Sequence, residues 1–367
     1  MAVLATVGIA LSFAQWSHGE RASTCISDFL SYYTGGRLAF SGQIYSPAAS
    51  ISVRHEILGC SNDVYGQFVW PPYFAGLMWP LAQLPFRVAL VVWHSFCVVA
   101  ILGFVWLWPG PRWRTLAICS WSFPLMSAFV YGQDVPILLL AAGAGIVLLG
   151  KGYDFEAGLC LAVGAAKPHL FVILALLVFV RRRWWAALGF GVGVGVEIGA
   201  SFLTEGLGWP SEFWHAATSA AANPNPGTMI NLHGLAYAFH APWWIETILS
   251  LAFLALIAWT CMRIPDSMGF ALALAGGVLL GVHSYLYDLT LVIPLVLTVL
   301  ASNSVPLWLK WAAGVVASPA LYWIPAASTL PGPVHFLLPA FLVLTGVAIA
   351  VGRREAEFAG GTLRMEG

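Results

Sequence analysis

Apolar runs recur along this chain of 367 residues, and they constrain its fold more than any other feature. Hydrophobic residues make up 60% of the sequence and charged residues only 9%, whereas a soluble domain carries about 25% charged residues. Such apolar surface can be hidden only in lipid, and the longer runs can span a hydrocarbon core of about 30 Å. The sequence therefore predicts an all-α, polytopic integral membrane protein. Sixteen basic and sixteen acidic residues balance, so the net charge does not indicate a nucleic-acid partner.

The apolar runs divide one membrane domain, residues 1–367, into about twelve transmembrane or half-length helices. The predicted segments are 1–16, 86–108, 115–131, 135–150, 157–166, 168–180, 184–203, 243–262, 268–282, 289–301, 306–324 and 334–352. The spans within 86–203 and the C-terminal spans within 243–367 are separated by a loop at 204–242, and a first loop covers 17–85. The positive-inside rule places the clustered basic residues in the cytoplasm and both loops outside it. These basic residues are Arg112, Arg114, Lys151, Arg181, Arg182, Arg183, Arg263, Lys310, Arg353 and Arg354.

A pair of half-length helices within 157–180 follows from the positions of the charges. Lys151 and the Arg181–Arg183 run can both be cytoplasmic only if the segment between them enters the membrane and returns. Pro168 supplies the break, because proline lacks an N–H group and clashes with the preceding turn.

The N-terminal region leaves two questions open. Residues 1–16 contain no Lys or Arg and are shorter than the ~20 residues of a usual span. We favour an uncleaved first helix, with or without further residues upstream, over a cleaved signal peptide. Cys25 and Cys60 share the first outer loop and could form a disulfide in an oxidising compartment.

The first outer loop contains the leading catalytic candidate, Asp28, in "SDFLSYYTGGRLAFSGQIYSP". The alternative is that Asp28 only caps a helix that begins at Phe29. The proline-rich "YGQFVWPPYFAGLMWPLAQLPF", residues 65–86, is predicted to form an interfacial or re-entrant helix, which could line a lipid entrance or simply form an aromatic belt.

Lys167 is the most informative single residue, since a cation near mid-membrane is costly and usually functional. Beside His169 and the freed backbone at Pro168, it could hold an anion such as a lipid phosphate. The alternatives are a structural ion pair or a side chain that reaches the membrane surface. Further polar candidates in the predicted outer segments are Gln133, Asp134, His233, His283, Tyr285, Tyr287 and Asp288.

Several common site motifs are absent from the sequence. There is no Walker A motif, no glycine-rich dinucleotide fingerprint, no H-E-x-x-H and no G-x-S-x-G. Sites for nucleotide-sugar donors, ATP and zinc hydrolysis are therefore not visible. Nor do the two halves show a matched repeat, which disfavours an alternating-access transporter.

The order of five segments resembles glycosyltransferase family 87. These segments are "DFLSYYTGGRLAFSGQIYSP", "WPPYFAGLMWPLAQLPF", "YGQD", "AGLCLAVGAAKPHLFVILALLVFVRRRWW" and "HSYLYDLTLVIP". The resemblance implies a GT-C fold, a polyprenyl-monophosphate sugar donor with mannose the commonest sugar, and inverting transfer on the extracytoplasmic side of a bacterial inner membrane. It also implies that Asp28 is the essential aspartate and that His283 and Lys167 correspond to family positions, with His283 at the donor phosphate.

A consistent mechanism follows from these residues. Asp28 would accept the proton of an acceptor hydroxyl, and Lys167, His283 and Arg37 would stabilise the leaving phosphate. Substrate contacts are expected from Tyr32, Tyr33, Gln133, Asp134, His169, His233, Tyr287 and Asp288. No cofactor or metal is required, although Asp28, Asp134 and Asp288 could hold one. The expected partners are the lipid-linked donor, a lipid or glycan acceptor and membrane lipids. The alternatives are a transporter or flippase of a lipid-linked sugar and a non-catalytic membrane scaffold.

Overall fold

The computed structural model describes residues 27–59, 67–219, 226–303, 305–318, 339–343 and 345–346. Within these ranges the protein is all-α, as predicted: up to residue 318 it has sixteen α-helices and three 3₁₀ helices, and residues 339–343 and 345–346 are also helical. The α-helices are α1 (Asp28–Leu38), α2 (Pro47–Leu58), α3 (Pro72–Ala82), α4 (Phe86–Leu107), α5 (Arg112–Trp121), α6 (Phe123–Tyr131), α7 (Val135–Lys151), α8 (Asp154–Ala162), α9 (Pro168–Val180), α10 (Trp184–Glu205), α11 (Trp209–Ala217), α12 (Leu232–Ala238), α13 (Trp243–Cys261), α14 (Asp266–Leu280), α15 (Ile293–Ala301) and α16 (Leu307–Val316). The 3₁₀ helices are Val163–Ala166, Pro226–Thr228 and Leu286–Val292.

Three of the described helices, α4, α10 and α13, are long and apolar enough to cross a membrane. Five shorter apolar segments accompany them: α7, α9, α14, the run Leu286–Ala301 and α16. Large apolar side chains cover the outside of these helices; Leu203 of α10, for example, is 83% exposed. An apolar exterior of this extent is expected of a surface that contacts lipid.

The structure corrects two of the predicted spans. Residues 115–131 form two helices, α5 and α6, because the chain breaks at Ser122. The Ser122 hydroxyl caps α6 by accepting a hydrogen bond from the Leu125 N–H, and Pro124 lies in the first turn, where proline is favoured. The segment predicted at 289–301 begins earlier, as the 3₁₀ helix Leu286–Val292, and becomes α-helical only at Ile293.

Two predicted loops contain regular structure. The first loop contains α1, α2 and α3, and α3 stops before Pro85, which precedes α4. The loop at 204–242 contains α11 and α12. The predictions for the first helix at 1–16, the Cys25–Cys60 disulfide, the span at 334–352 and the part of the 306–324 span after residue 318 lie wholly or largely outside the described residues.

The predicted half-length pair corresponds to α8, continued by Val163–Ala166, and α9. Helix α8 packs closely against α10, and glycines make this approach possible. A Cβ atom on Gly158 would lie 2.1 Å from the Ala186 carbonyl oxygen, and one on Gly189 would lie 2.1 Å from the Phe155 carbonyl oxygen. Both positions therefore require glycine for steric reasons.

The two ends of this helical pair lie side by side in a basic junction, defined here as Asp154, Arg181, Arg183 and Asp266. Arg183 forms an ion pair with Asp154 at 3.3 Å, and both arginines contact Asp266. Asp154, the first residue of α8, and Arg183, which follows α9, are thus neighbours, and Lys167 is at the far tip. Helix α7 has 17 residues and α9 has 13, and both have one end near this junction. The far end of α7 is therefore about 25 Å from the junction, and the far end of α9 is about 20 Å from it.

Two apolar cores meet at the far tip. One contains the buried faces of α7, α9, α14 and α15, and the other is aromatic and formed by α1, α3 and the first half of α4. Tyr32 of the aromatic core packs edge-on against Trp70, Phe74 and Trp93. The polar residues predicted to carry chemistry lie at the boundary between the two cores.

Candidate active site

Five polar side chains from separate parts of the sequence converge in what we call the polar cluster: Asp28, Gln133, Asp134, Lys167 and Asp288. Gln133 and Asp288 are each 1% exposed, Asp134 is 2% exposed and Lys167 is 6% exposed. Asp28 is partly exposed. Four of the five residues are thus sealed from solvent, and Asp28 is the one member of the cluster with exposed residue surface, although its carboxyl group is buried.

The turn between α6 and α7 fixes Gln133 and Asp134. Gly132 has a φ of 68°, the left-handed conformation in which glycine commonly ends a helix. The Gln133 N–H donates to the Ala128 carbonyl at 2.8 Å, and the Trp93 indole donates to the Gly132 carbonyl at 2.8 Å. A Cβ on Gly132 would lie 2.8 Å from Cβ of Phe29, so the turn packs directly against the start of α1. This contact brings Asp28 beside Gln133.

The Lys167 ammonium group is the centre of the polar cluster. Its Nζ lies 3.0 Å from Oε1 of Gln133, 3.0 Å from Oδ1 of Asp134 and 3.2 Å from Oδ1 of Asp288. An ammonium group has three N–H donors, and this site supplies three acceptors. A buried lysine is tolerated when it is paired and hydrogen-bonded in this way. The structure therefore contains the ion pair that the sequence analysis left open as an alternative for Lys167.

Asp288 is held by the backbone as well as by Lys167. Its Oδ2 accepts a hydrogen bond from the Tyr285 N–H at 2.8 Å, while its own N–H donates to the Tyr285 carbonyl at 2.9 Å. This reciprocal pair starts the 3₁₀ helix Leu286–Val292. Lys167 also lies 5.3 Å above the centre of the Tyr287 ring, within cation–π range.

Tyr32 closes the polar cluster on the side of the aromatic core. Its hydroxyl oxygen lies 3.0 Å from Oε1 of Gln133 and 3.3 Å from Oδ1 of Asp134. The Asp134 N–H approaches the same hydroxyl at 3.4 Å. Tyr32 therefore connects α1 to the turn before α7 by polar contacts at the end of α1 that carries Asp28.

The environment of Asp28 favours its protonated form. Burial raises the pKa of Asp28 to about 7, and the nearby carboxylates of Asp134 and Asp288 act in the same direction. A hydrogen bond with the Gln133 side chain and the charge of Lys167 oppose this shift. A carboxyl group whose pKa is close to neutrality can both accept and release a proton at physiological pH, as a general base requires.

Two histidines lie next to the polar cluster. His169, two residues after Lys167, packs edge-on against His283 with ring centres 5.9 Å apart, and His283 packs against Tyr285 at 4.8 Å. Burial lowers the pKa of His283 to about 4. At neutral pH this ring is therefore uncharged and offers one N–H donor. We call His169 and His283 the histidine pair.

Three predicted site residues lie apart from the polar cluster or have other partners. Arg37 is nine residues beyond Asp28 on α1, about 13 Å along the helix, and it contacts Glu56 at 3.4 Å. His233 contacts Glu246 at 2.9 Å. The Tyr33 hydroxyl donates to the Leu84 carbonyl at 2.6 Å. The structure thus does not bring Arg37 to the position that the sequence analysis gave it.

Glu197 was not among the predicted candidates. It lies within the spanning helix α10, and its side chain is hydrogen-bonded to that of Tyr73 on α3. The sequence signal was available, since an acidic residue within an apolar span is unusual. Trp93 was also missed, because nothing in an apolar run shows that one tryptophan will hold a distant turn.

Among the described residues, no group of three or more His, Cys, Asp or Glu side chains is arranged to hold a metal ion. In the polar cluster, Asp134 and Asp288 each direct an oxygen at Lys167. What this arrangement offers chemically is proton transfer at Asp28 and hydrogen bonding by the histidine pair.

Comparisons with known proteins identify the family of this chain. The family model for glycosyltransferase family 87 matches residues 68–294. A polyprenol-phosphate-mannose-dependent alpha-(1-2)-phosphatidylinositol pentamannoside mannosyltransferase from Mycobacterium tuberculosis (strain CDC 1551 / Oshkosh) is 27% identical over 254 residues, which cover 63% of this chain and 57% of the relative. The protein of the same name from Mycolicibacterium smegmatis is 29% identical over 153 residues, 39% of this chain and 34% of the relative. No solved structure matches the chain.

The matched regions cover only part of each relative but more than half of this chain in the family comparison. The chain spans between a third and three fifths of the length of these two curated relatives. The family match includes Gln133, Lys167, His283 and Asp288, whereas Asp28 lies before its first residue. Because the match covers more than half of the chain, the resemblance seen in the sequence is confirmed. The chain belongs to glycosyltransferase family 87.

Proposed function

We propose that this protein transfers a single sugar, mannose, from a polyprenyl monophosphate carrier to a hydroxyl group of a lipid or glycan acceptor, with Asp28 as the general base. The observation that supports this most directly is the position of Asp28, a partly exposed residue whose carboxyl group is buried at the edge of an otherwise sealed polar cluster that adjoins the histidine pair. The donor is proposed from the names of the relatives, which are polyprenol-phosphate-mannose-dependent mannosyltransferases.

The proposed reaction is a displacement with inversion at the anomeric carbon. The acceptor O–H bond breaks and its proton goes to Asp28 as the new oxygen–carbon bond forms. The bond between the anomeric carbon and the phosphate oxygen breaks, and polyprenyl phosphate leaves as an anion. Since a hydroxyl group is a weak nucleophile at neutral pH, removal of its proton in the transition state is the step that a positioned carboxylate accelerates.

We place the leaving phosphate at the histidine pair. A neutral His283 can donate an N–H to a phosphate oxygen, and Tyr285 lies against its ring. The Lys167 ammonium is directed at Gln133, Asp134 and Asp288 and has no further N–H to offer. Arg37 lies too far along α1 for direct contact with a group at Asp28. The proposed phosphate contacts are therefore histidine contacts, and the charge of Lys167 acts at longer range.

The side of the membrane is proposed from charge and length. The basic junction has the arginines that the positive-inside rule places in the cytoplasm. Helix α7, which starts beside the polar cluster and ends at Lys151, is about 25 Å long. The polar cluster therefore belongs near the opposite, extracytoplasmic side, where a carrier lipid can present its head group.

The test is a transfer assay with purified protein in detergent, polyprenyl-phosphate [¹⁴C]mannose and a membrane lipid extract as acceptor source. We expect labelled glycolipid from the wild-type chain and from Glu56→Gln, which removes an exposed carboxylate on α2. We expect none from Asp28→Asn. Product of unchanged amount from Asp28→Asn would remove Asp28 from the mechanism. Binding of the donor without covalent transfer by the wild-type chain would favour the transporter or flippase.

A further inference from the structure

We infer that Gln133 is a positioning residue for Asp28, and that Lys167 acts on the reaction by fixing the orientation of the Gln133 amide. This inference rests on the proposed function, in which Asp28 is the base. It gives Lys167 a role different from the phosphate contact that the sequence favoured.

The first step is the orientation of the Gln133 amide. Its Oε1 lies 3.0 Å from the Lys167 Nζ and 3.0 Å from the Tyr32 hydroxyl. An ammonium group can only donate, so the atom that faces it must be the amide oxygen. The amide NH₂ group is thereby directed away from Lys167, and the Asp28 carboxylate is within hydrogen-bonding reach of this side chain. Gln133 consequently donates to Asp28.

The second step is that Gln133 cannot easily move. Its N–H is bonded to the Ala128 carbonyl, its own carbonyl accepts a weak hydrogen bond from the Cys97 thiol at 3.7 Å, and the preceding carbonyl is held by Trp93. Backbone and side chain are therefore both fixed. A donor held in this way is pre-organised for its acceptor, which is the property that orients a catalytic group.

The third step is the effect on Asp28. The titratable or charged groups that face Asp28 from the packed elements are Tyr32, Asp134, Lys167, Tyr287 and Asp288. Two of these are carboxylates, which disfavour a further negative charge. Gln133 supplies a neutral N–H donor that favours the ionised, basic form of Asp28 and points its oxygens in one direction. Without this donor, Asp28 would hold its proton more tightly at neutral pH.

The hydrogen-bonding capacity of Lys167 is already used within the polar cluster. Its three N–H groups are matched by three acceptors, so a direct bond to a substrate phosphate would require one of them to be lost. Two of the acceptors are carboxylates, and separation of a buried lysine from a carboxylate is costly. Lys167 instead donates a hydrogen bond to the amide oxygen of Gln133, which directs the Gln133 NH₂ group at Asp28.

The test is the pH dependence of transfer by the full-length protein with Gln133→Met and Gln133→Glu. Methionine removes the donor, and glutamate keeps an oxygen toward Lys167 and Tyr32 but replaces the donor by charge. We expect kcat/KM of the wild-type chain to rise with pH to a plateau, with a midpoint near the Asp28 pKa. In both variants we expect the midpoint to move upward by about one pH unit or more and kcat near neutral pH to fall by about tenfold. The KM for the polyprenyl-phosphate donor should stay within about twofold.

Gln83→Met is the matched control, because Gln83 is exposed and its side chain donates to the Trp79 carbonyl. It should keep the wild-type midpoint. A wild-type midpoint in Gln133→Glu, or a raised donor KM at unchanged kcat, would overturn the positioning role and favour a substrate contact. Absence of transfer by the wild-type chain would overturn the proposed function as well, so the two failures are distinguishable.

Discussion

In the proposed reaction, Asp28 serves chemistry at the expense of stability. The folded environment raises its pKa from an ordinary value of 3.8 to about 7, mainly by burial. A group with a raised folded-state pKa stabilises the fold only while it is protonated. As the pH rises from 3.8 towards about 7, the Asp28 carboxyl ionises in the unfolded chain and stays protonated in the folded chain. The fold therefore loses stability that a neutral side chain would have kept.

We predict that Asp28→Asn raises the melting temperature of the detergent-solubilised protein, by an amount that grows between about pH 4 and about pH 7. The physical reason is that asparagine has no charge to bury at any pH. The measurement is thermal unfolding at several pH values, with Glu56→Gln as the exposed control. A gap between Asp28→Asn and wild type that shrinks with rising pH would contradict the assigned environment.

Lys167 balances two buried carboxylates at the same site. We predict that Lys167→Met destabilises the protein by about 3–5 kcal/mol, because Asp134 and Asp288 would then be buried without a counter-charge. Adding Asp288→Asn should recover part of this loss. The readout is the melting temperature and the yield of monodisperse protein. Equal stability of the single and the double variant would show that the carboxylates do not depend on Lys167.

At the scale of elements, the helical pair α8 and α9 presents Lys167 to the site. Its first half is held by α10, and the two backbones approach closely at Gly158 and Gly189. Its second half, α9, packs against α14, where a Cβ on Gly277 would lie 1.9 Å from the Leu170 carbonyl oxygen. Small residues on both sides therefore allow half-length helices to be held firmly enough to position a charged side chain.

The crossing of α8 and α10 can be tested within one helix. We predict that Gly189→Ala lowers the stability by about 1–3 kcal/mol, because its Cβ would overlap the Phe155 carbonyl. Gly191→Ala should be neutral or stabilising, since nothing lies within 4 Å of a Cβ there and alanine favours a helix. The comparison uses thermal unfolding of both variants. Similar losses in both would show that the close contact with α8 at Gly189 is not what makes the substitution costly.

At the scale of the whole molecule, the arrangement has two polar ends separated by an apolar layer. The basic junction joins the end of α9 to the starts of α8, α10 and α14, and the polar cluster joins α1, α7, α9 and the 3₁₀ helix Leu286–Val292. About 20–25 Å of helix separates them. This separation is close to that of the two faces of a bilayer, which is why the proposed site is extracytoplasmic.

We predict that residues 151 and 182 lie on one side of the membrane and residue 43 on the other. Lys151, Arg182 and Gln43 are all exposed, so each can be replaced by cysteine in a chain whose native cysteines are changed to alanine or serine. An impermeant maleimide added to intact cells should label Gln43→Cys and leave Lys151→Cys and Arg182→Cys unlabelled until the cells are opened. Labelling of Lys151→Cys and Arg182→Cys from opposite sides would rule out the helical pair as a re-entrant unit.

Much of the fold could be read from the sequence, because apolar length and the distribution of arginine and lysine are linear properties of a membrane chain. They indicated α4, α7, α10 and α13 within one or two residues, and Pro168 marked the break before α9. The break at Ser122 was missed, since an apolar run gives no sign of the Ser122 cap until the chain turns there. Arg37 was grouped with the site, whereas about 13 Å along α1 separates it from Asp28.

The sequence by itself determined that the chain is a membrane-embedded helical protein of a glycosyltransferase family and that Asp28, Lys167 and Asp288 were candidates. Composition and periodicity indicate the membrane class, because an exposed polar group in lipid is costly wherever it occurs. The family was indicated by the resemblance of the five segments, and the candidates by polar residues that lie in or beside apolar runs. Only the tertiary structure decided which groups each candidate contacts. Hydrogen-bond donors and acceptors from residues between 33 and 121 positions apart were matched one to one, and that pairing, which has no linear signal, gave Lys167 to the carboxylates and Gln133 to Asp28.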